Sequence, residues 1–269
     1  MSEQHPHRGI TPDTVVIWML QLEDPRVDRA AVLRTYGAFI ADNERVRAAQ
    51  FISEPAGVLY LFARVLLRVV LCQYLPAEHA PSTPASLVFN AGPHGKPSLA
   101  APYDRSGLRF NLSHSGAGVV CAVAQDREVG VDIEPLARVF EFDDIVSHYF
   151  VPHEISAIQS APLTLRRERF FYYWTLKEAY LKARGEGLSY PLSAVGFDLQ
   201  PTGDIRLQDT HDSSASSRWA CRSLEPLRGY RAGLCWERHH NRSDPHVELK
   251  TVNSAELNLL IDALNRTQV

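Results

Sequence analysis

Apolar residues recur along this chain with two periods, and the switches between them mark out its elements. Val15 to Leu22 is a nearly continuous apolar run with Trp18 inside it, which predicts a buried strand. From Asp28 to Phe39 the positions Ala31, Leu33 and Phe39 fall at helical spacing. Asn43 then opens a basic helical turn, Glu44-Arg45-Val46-Arg47, that runs on to Phe51. A long helix is predicted from Ala56 to Tyr74 and ends at Leu75-Pro76, since proline cannot continue it. Leu87 to Phe89 reads as a short strand, Ala91 to Pro97 as a Gly- and Pro-rich loop, and Leu108 to Leu112 and Gly118 to Ala124 as strands. A polar turn, Gln125 to Glu128, leads into a strand from Val129 to Ile133.

Helices are predicted from Asp144 to His148, from Pro152 to Gln159, and from Thr164 to Ala183. The last takes Thr164 as its N-cap and Gly185 as its stop. Strands resume at Val195 to Leu199, Ile205 to Leu207, Trp219 to Arg222 and Tyr230 to Trp236. Ser254 to Leu264 reads as a closing helix. The order is strand, helices, strands, repeated once, which predicts an α+β protein of two similarly built halves. The divisions are a disordered tail over 1–12, an N-terminal half over 13–125, a C-terminal half over 126–240, and a C-terminal extension over 241–269 with no assigned role.

Composition narrows the classes. With 269 residues, 45% of them hydrophobic, the chain can bury a sizeable core. A net charge of -3 gives no reason to expect a nucleic-acid partner. Met1 to Pro12 has no apolar run of the signal-peptide kind. Val58 to Leu71, the longest apolar stretch, is interrupted by Arg64 and Arg68 and is short for a membrane span. The four cysteines lack metal-ligand spacing, and a reducing, cytoplasmic setting without a membrane is the simplest expectation.

The candidate chemistry lies in four places. Asp132 and Glu134 alternate with apolar residues on a strand and so project to one side. Two neighbouring carboxylates repel unless a cation stands between them, and oxygen ligands suit Mg²⁺, with Mn²⁺ also accepted. Read alone, such a pair is more often a solvated acidic strand end than a metal site. Trp174, Glu178 and Lys182 share one helix face, where the Glu–Lys pair by itself is an ordinary surface ion pair worth about 0.3–0.5 kcal/mol. Ser113 and His114 are adjacent on a strand, point apart, and form no catalytic dyad. Gly95-Lys96-Pro97 is a turn with the wrong glycine spacing for a P-loop.

Taken in order, Gly95-Lys96-Pro97, Phe110-Asn111-Leu112-Ser113-His114-Ser115, Gly130-Val131-Asp132-Ile133-Glu134, and Trp174-Thr175-Leu176-Lys177-Glu178-Ala179-Tyr180-Leu181-Lys182 with Gly185 and Gly187-Leu188 resemble the Sfp-type 4'-phosphopantetheinyl transferase family. The recognisable part spans about residues 40–200. The resemblance implies a pseudo-dimer of two α/β halves, complete as a monomer, with coenzyme A in the cleft between them. It implies that Asp132, Glu134 and Glu178 hold Mg²⁺ and that Lys182 contacts the pyrophosphate. Ser113 and His114 would touch phosphates, with His114 near the 3'-phosphate. Lys96 and Pro97 would lie near the adenine and ribose, and Arg45 and Arg47 near the 3'-phosphate. The implied reaction moves 4'-phosphopantetheine to a serine of an acyl or peptidyl carrier protein. Asp132, Glu178 and Lys182 would be the catalytic group, with Glu178 the first candidate for the base, directly or through a metal-bound water. One departure stands at Leu59, where family members commonly carry an arginine for the 3'-phosphate; Arg64 lies more than one turn further on. Two other readings of the same residues remain, a pyrophosphate hydrolase and a non-catalytic binding module.

Overall fold

The computed structural model describes residues 9–23, 27–76, 79–200, 204–240 and 242–267. Up to residue 8, the tail expected over 1–12 lies outside the described residues. The first sheet contains β1 (Thr14–Gln21), β4 (Leu108–Ser115), β5 (Gly118–Gln125) and β11 (His246–Val252), in the order β11-β1-β5-β4. Between β1 and β4 come the helices α1 (Arg29–Tyr36), α2 (Asp42–Ala49) and α3 (Glu54–Tyr74), then the small hairpin of β2 (Phe89–Ala91) and β3 (Pro97–Leu99).

The second sheet has the order β6-β10-β9, from β6 (Val129–Pro135), β9 (Trp219–Leu224) and β10 (Tyr230–Glu237). Within it the chain runs through α4 (Asp143–Tyr149), α5 (Pro152–Gln159) and α6 (Leu163–Arg184). The hairpin of β7 (Val195–Leu199) and β8 (Ile205–Asp209) follows, then the short α7 (Ala215–Arg218). The chain closes with β11 and α8 (Ser254–Thr267).

Alternation along the strands builds these into layers. Val16, Trp18 and Leu20 pack with Val119, Cys121 and Val123 under α3. Their neighbours Val15, Ile17 and Met19 turn the other way, with Val120, Ala122 and Ala124, onto Val129, Val131 and Ile133 of the second sheet. The two sheets thus face each other, with α3 over the first and α6 over the second. Burial on both faces is why these strands read as continuous apolar runs. Gly130, Asp132 and Glu134 are left on the α6 side of β6.

Helix α3 begins two residues before its expected start, because Ser53 caps it by accepting from Ala56 N at 3.4 Å and Pro55 suits a first helical turn. Despite its arginines it is long and apolar enough to cross a membrane, which corrects the reading from length. Yet 78% of its most apolar window is buried inside the protein, so it is the core helix of the first half. Arg68 inside it is neutralised by Glu44 at 2.8 Å and by the carbonyls of Pro84 and Leu87. Helix α6 begins at Leu163 after Pro162, so Thr164 is a first-turn residue and not the cap. Gly185 ends it as expected, with φ 72° and its N–H on the Leu181 carbonyl at 2.9 Å.

Strand β11 was not foreseen. It pairs in parallel with β1, from Thr14 opposite His246 to Leu20 opposite Val252. Leu257, Ile261 and Leu264 of α8 are buried in the α3 core. The segment without an assigned role therefore completes the first half. All four cysteines are buried thiols, and burial pushes Cys72 and Cys121 up to about 12, which keeps them unreactive.

Candidate active site

Two close approaches bring α6 onto the second sheet. A Cβ on Gly130 would stand 2.1 Å from the Ala179 carbonyl oxygen and 2.3 Å from Ala183 N. One on Gly233 would stand 2.2 Å from the Thr175 carbonyl oxygen. Only glycine permits such contact between helix and sheet backbones. The helix is held from its other side by an ion pair buried on both partners, Lys177 Nζ with Glu154 Oε2 at 2.8 Å. Lys177 also reaches the Leu192 carbonyl at 3.2 Å, and Glu154 accepts from Phe197 N at 3.0 Å. Glu178 and Lys182 are thereby fixed over Asp132 and Glu134.

Edge strand β4 supplies the rest. Asn111, Ser113 and Ser115 share the face turned to β6. Asn111 Oδ1 accepts from Val131 N at 2.9 Å, Ser113 donates to Asp132 Oδ1 at 2.9 Å, and Ser115 donates to Glu134 Oε2 at 2.6 Å. Lys182 Nζ donates to Asp132 Oδ1 at 2.6 Å and to Ser113 Oγ at 2.9 Å, closing a triangle. Arg138 reaches Glu134 at 3.2 Å.

Negative charge is in excess at this point. Glu178 is pushed up to about 7, chiefly by burial and next by the charge of Asp132; Lys182 offsets part of this and Glu134 adds to it. Glu134 is raised too, mainly by burial, with Ser115 and Arg138 opposing and Asp132 contributing. Asp132 Oδ2 and Glu178 Oε1 are buried without a hydrogen-bond partner. Among the described residues, however, no three such side chains stand close enough to enclose an ion. The three carboxylates share a region, and closing round a cation requires their side chains to move together. The donor set is all oxygen and suits a hard divalent cation; the two unpartnered buried oxygens give such a cation something to satisfy.

A cavity of about 550 Å³ opens beside them, lined by Asp132, Glu134, Glu178, Trp174, His148, Tyr149 and the segment from Ser189 to Ser193. Trp174 is held by near-parallel stacking on Phe170, 5.8 Å between centroids. A second cavity, about 470 Å³, includes Lys96, Pro97, Arg109, Glu128 and Gly185 in its wall.

The other expected site residues are placed variously. His114 points away from Ser113, toward α3. It keeps an exposed edge, but desolvation on its protein side, and next the charges of Arg64 and Lys182, hold its imidazole below its ordinary range. Lys96 is engaged with the end of α6: its Nζ donates to Ala183 O at 2.7 Å and to Glu128 Oε2 at 2.6 Å. Arg45 donates to the Gly37 carbonyl at 2.5 Å and braces the α1–α2 connection. Arg47 donates to Gln50 at 3.1 Å. Leu59 is a core residue, whereas Arg64, with 21% of its side chain exposed, bears on His114. Sequence reasoning missed Asn111, Ser115, Arg138 and Arg64. The polar spacing 111, 113, 115 against apolar 108, 110, 112 was the available signal for the first two.

Residues 128–235 match the family model of the 4'-phosphopantetheinyl transferase superfamily. The 4'-phosphopantetheinyl transferase HetI of Nostoc sp. strain PCC 7120 is 33% identical over 203 residues, which cover 76% of this chain and 81% of its own. The chain belongs to this family. It is a 4'-phosphopantetheinyl transferase, and similarity extends to the Sfp transferase of Bacillus subtilis strain 168, 26% identical over 74% of this chain and 82% of the relative. Among solved structures, a "Chronobacterium ammoniagenes ACPS-CoA complex" aligns at TM-score 0.34 and 19% identity, over 43% of this chain and 98% of that one. In the transferase the matched region carries β6, α6 and β10, and so holds the carboxylates, Lys182 and both close-approach glycines.

Proposed function

We infer that the transferase moves 4'-phosphopantetheine from coenzyme A to a serine hydroxyl of an acyl or peptidyl carrier protein, releasing 3',5'-ADP, at the site formed by Asp132, Glu134, Glu178, Lys182 and Ser113. The observation that carries this reading is the Lys182–Asp132–Ser113 triangle beside two unpartnered buried carboxylate oxygens. Asp132, Glu134 and Glu178 would hold Mg²⁺, which, when bound, neutralises charge on the pyrophosphate. Lys182 has a third N–H, beyond those on Asp132 and Ser113, to offer to phosphate oxygens, while Ser113 spends its one O–H on orienting Asp132. Little covalent chemistry falls to the protein in such a transfer, so positioning and charge neutralisation dominate. Adding EDTA should stop 3',5'-ADP release, and excess Mg²⁺ should restore it; unchanged release in EDTA would remove the metal from this reading.

The 3'-phosphate end falls to His114 and Arg64 in this proposal. Arg64 stands on α3, where it bears on His114, and so supplies a cation that Leu59 does not. A phosphate dianion favours imidazolium, so coenzyme A should raise the His114 titration midpoint from its depressed free-state value. Affinity should accordingly grow as pH falls through the bound-state midpoint. Titration of the His114 ring by NMR, with and without coenzyme A, checks this; an upward shift absent in Arg64→Ala would assign the arginine as well. One chain supplies both halves of the cleft, which supports a monomer, and buried free thiols agree with a cytoplasmic setting.

A further inference from the structure

Strand β6 stands at the edge of its sheet, and side chains of β4 reach across to that edge. Asn111 takes the N–H of Val131, Ser113 reaches Asp132 and Ser115 reaches Glu134, from alternate positions of β4. The two carboxylates are held in the same pattern. Asp132 Oδ1 carries a hydroxyl and an ammonium, from Ser113 and Lys182, and its Oδ2 is without a partner. Glu134 Oε2 carries a hydroxyl and a guanidinium, from Ser115 at 2.6 Å and Arg138 at 3.2 Å, while Oε1 keeps the longer Arg138 contact of 3.4 Å. The Arg138 side chain is 54% exposed, so water screens its hold on Glu134. Ser115 is fixed more firmly, because the turn that follows it is docked on the second sheet. Ala117 N donates to Tyr230 Oη at 3.0 Å, and a Cβ on Gly116 would stand 3.2 Å from Cγ of Pro135, the neighbour of Glu134.

We propose that Ser115 is a positioning residue of the transfer: its hydroxyl fixes the Glu134 carboxylate by Oε2 and so leaves Oε1 to the divalent cation. The proposal rests on the metal reading above and deepens it. Ser115 acts through Glu134 and needs no contact with coenzyme A or the carrier. An ionised carboxylate accepts and cannot donate, so the Ser115 hydrogen is spent on Glu134. A glutamate has one more side-chain torsion to fix than an aspartate. Fixing it before the cation arrives removes that cost from binding. Hydrogen-bonded partners of ligating carboxylates ordinarily govern metal affinity in this way. Ser113 stands likewise to Asp132 but also touches Lys182, so a change at Ser115 isolates the effect on the carboxylate.

The test titrates Mn²⁺ into the wild-type protein, Ser115→Ala and Ser115→Thr, counting free Mn²⁺ by its electron paramagnetic resonance signal. Coenzyme A is present, the carrier protein is left out, and coenzyme A alone is the blank. Ser115→Ala should weaken Mn²⁺ binding by about 10–100-fold, and Ser115→Thr, which keeps the hydroxyl, should restore most of it. With an apo carrier protein added, the Mg²⁺ concentration for half-maximal rate should rise in Ser115→Ala by the same factor. Saturating Mg²⁺ should then recover most of the lost rate, which damage to packing alone would not allow. Wild-type Mn²⁺ affinity in Ser115→Ala, equal weakening in both variants, or a loss of rate that Mg²⁺ does not recover would each overturn the proposal. A wild-type protein that binds no Mn²⁺ would overturn the metal reading and the proposal together, and so is told apart from failure of the proposal alone.

Discussion

Replacing Asp132 with alanine is expected to lower transfer by about a thousandfold or more while the protein stays folded. Asp132 touches every part of the site: Ser113 and Lys182 bond its Oδ1, and its Oδ2 is one of the unpartnered buried oxygens. Breaking a buried ion pair ordinarily costs about 3–5 kcal/mol, because one charge is left buried alone. Here Lys182 is 29% exposed, keeps Ser113, and has Glu178 nearby. Removing Asp132 also lifts the repulsion that helps raise Glu134 and Glu178. Stability should therefore change by about 1 kcal/mol or less. Thermal unfolding and a coenzyme A turnover assay, run on the same preparation, decide it. A variant that unfolds would make Asp132 a structural residue, and one with full activity would remove the carboxylate site.

Gly130→Ala is expected to damage stability and activity together. The added methyl meets the Ala179 carbonyl oxygen, Ala183 N and Ala183 Cα, all backbone atoms that no rotamer change can move. Overpacking costs about 1–3 kcal/mol, and in a chain of this size each kcal/mol is worth roughly 2–4 °C, so Tm should drop by roughly 2–12 °C. Relief comes from lifting α6 off β6, and Lys182 is the residue beside Ala183. A displacement near 1 Å can cost on the order of 10²-fold in rate, and the 2.6 Å contact of Lys182 with Asp132 would open by that much. Melting curves and initial rates should fall together in Gly130→Ala. Gly233→Ala, which meets the Thr175 carbonyl, should behave alike. Native Tm and rate in both variants would contradict the role given to the close approach.

What the sequence made legible follows from local rules. The alternation of Val129, Val131 and Ile133 put Asp132 and Glu134 on one face of β6, and the structure turns that face to α6. The same rule separated Ser113 from His114, and the two now face the carboxylates and α3 respectively. The bounds of β7, Val195–Leu199, were legible from an apolar run set between Pro191 and Pro201 in the sequence. What stayed hidden is long-range. Gly130 reads as an ordinary strand glycine until a helix more than thirty residues on packs against it. Strand β11 is a half-polar edge strand whose partner lies at the other end of the chain, so no local run announces it. Lys96, expected near the adenine and ribose, also donates its ammonium to the Ala183 carbonyl in the last turn of α6, an attraction set by a helix end 87 residues away. The convergence of the carboxylates was legible as a neighbourhood and not as bonding distances.

The most direct measurement is the intact mass of an apo carrier protein after incubation with this protein, coenzyme A and Mg²⁺, with the Asp132→Ala variant in parallel. A gain of one 4'-phosphopantetheine with the wild-type protein, absent with the variant and absent in EDTA, is the predicted result. An unmodified carrier alongside cleaved coenzyme A, or equal modification by wild type and variant, would contradict it.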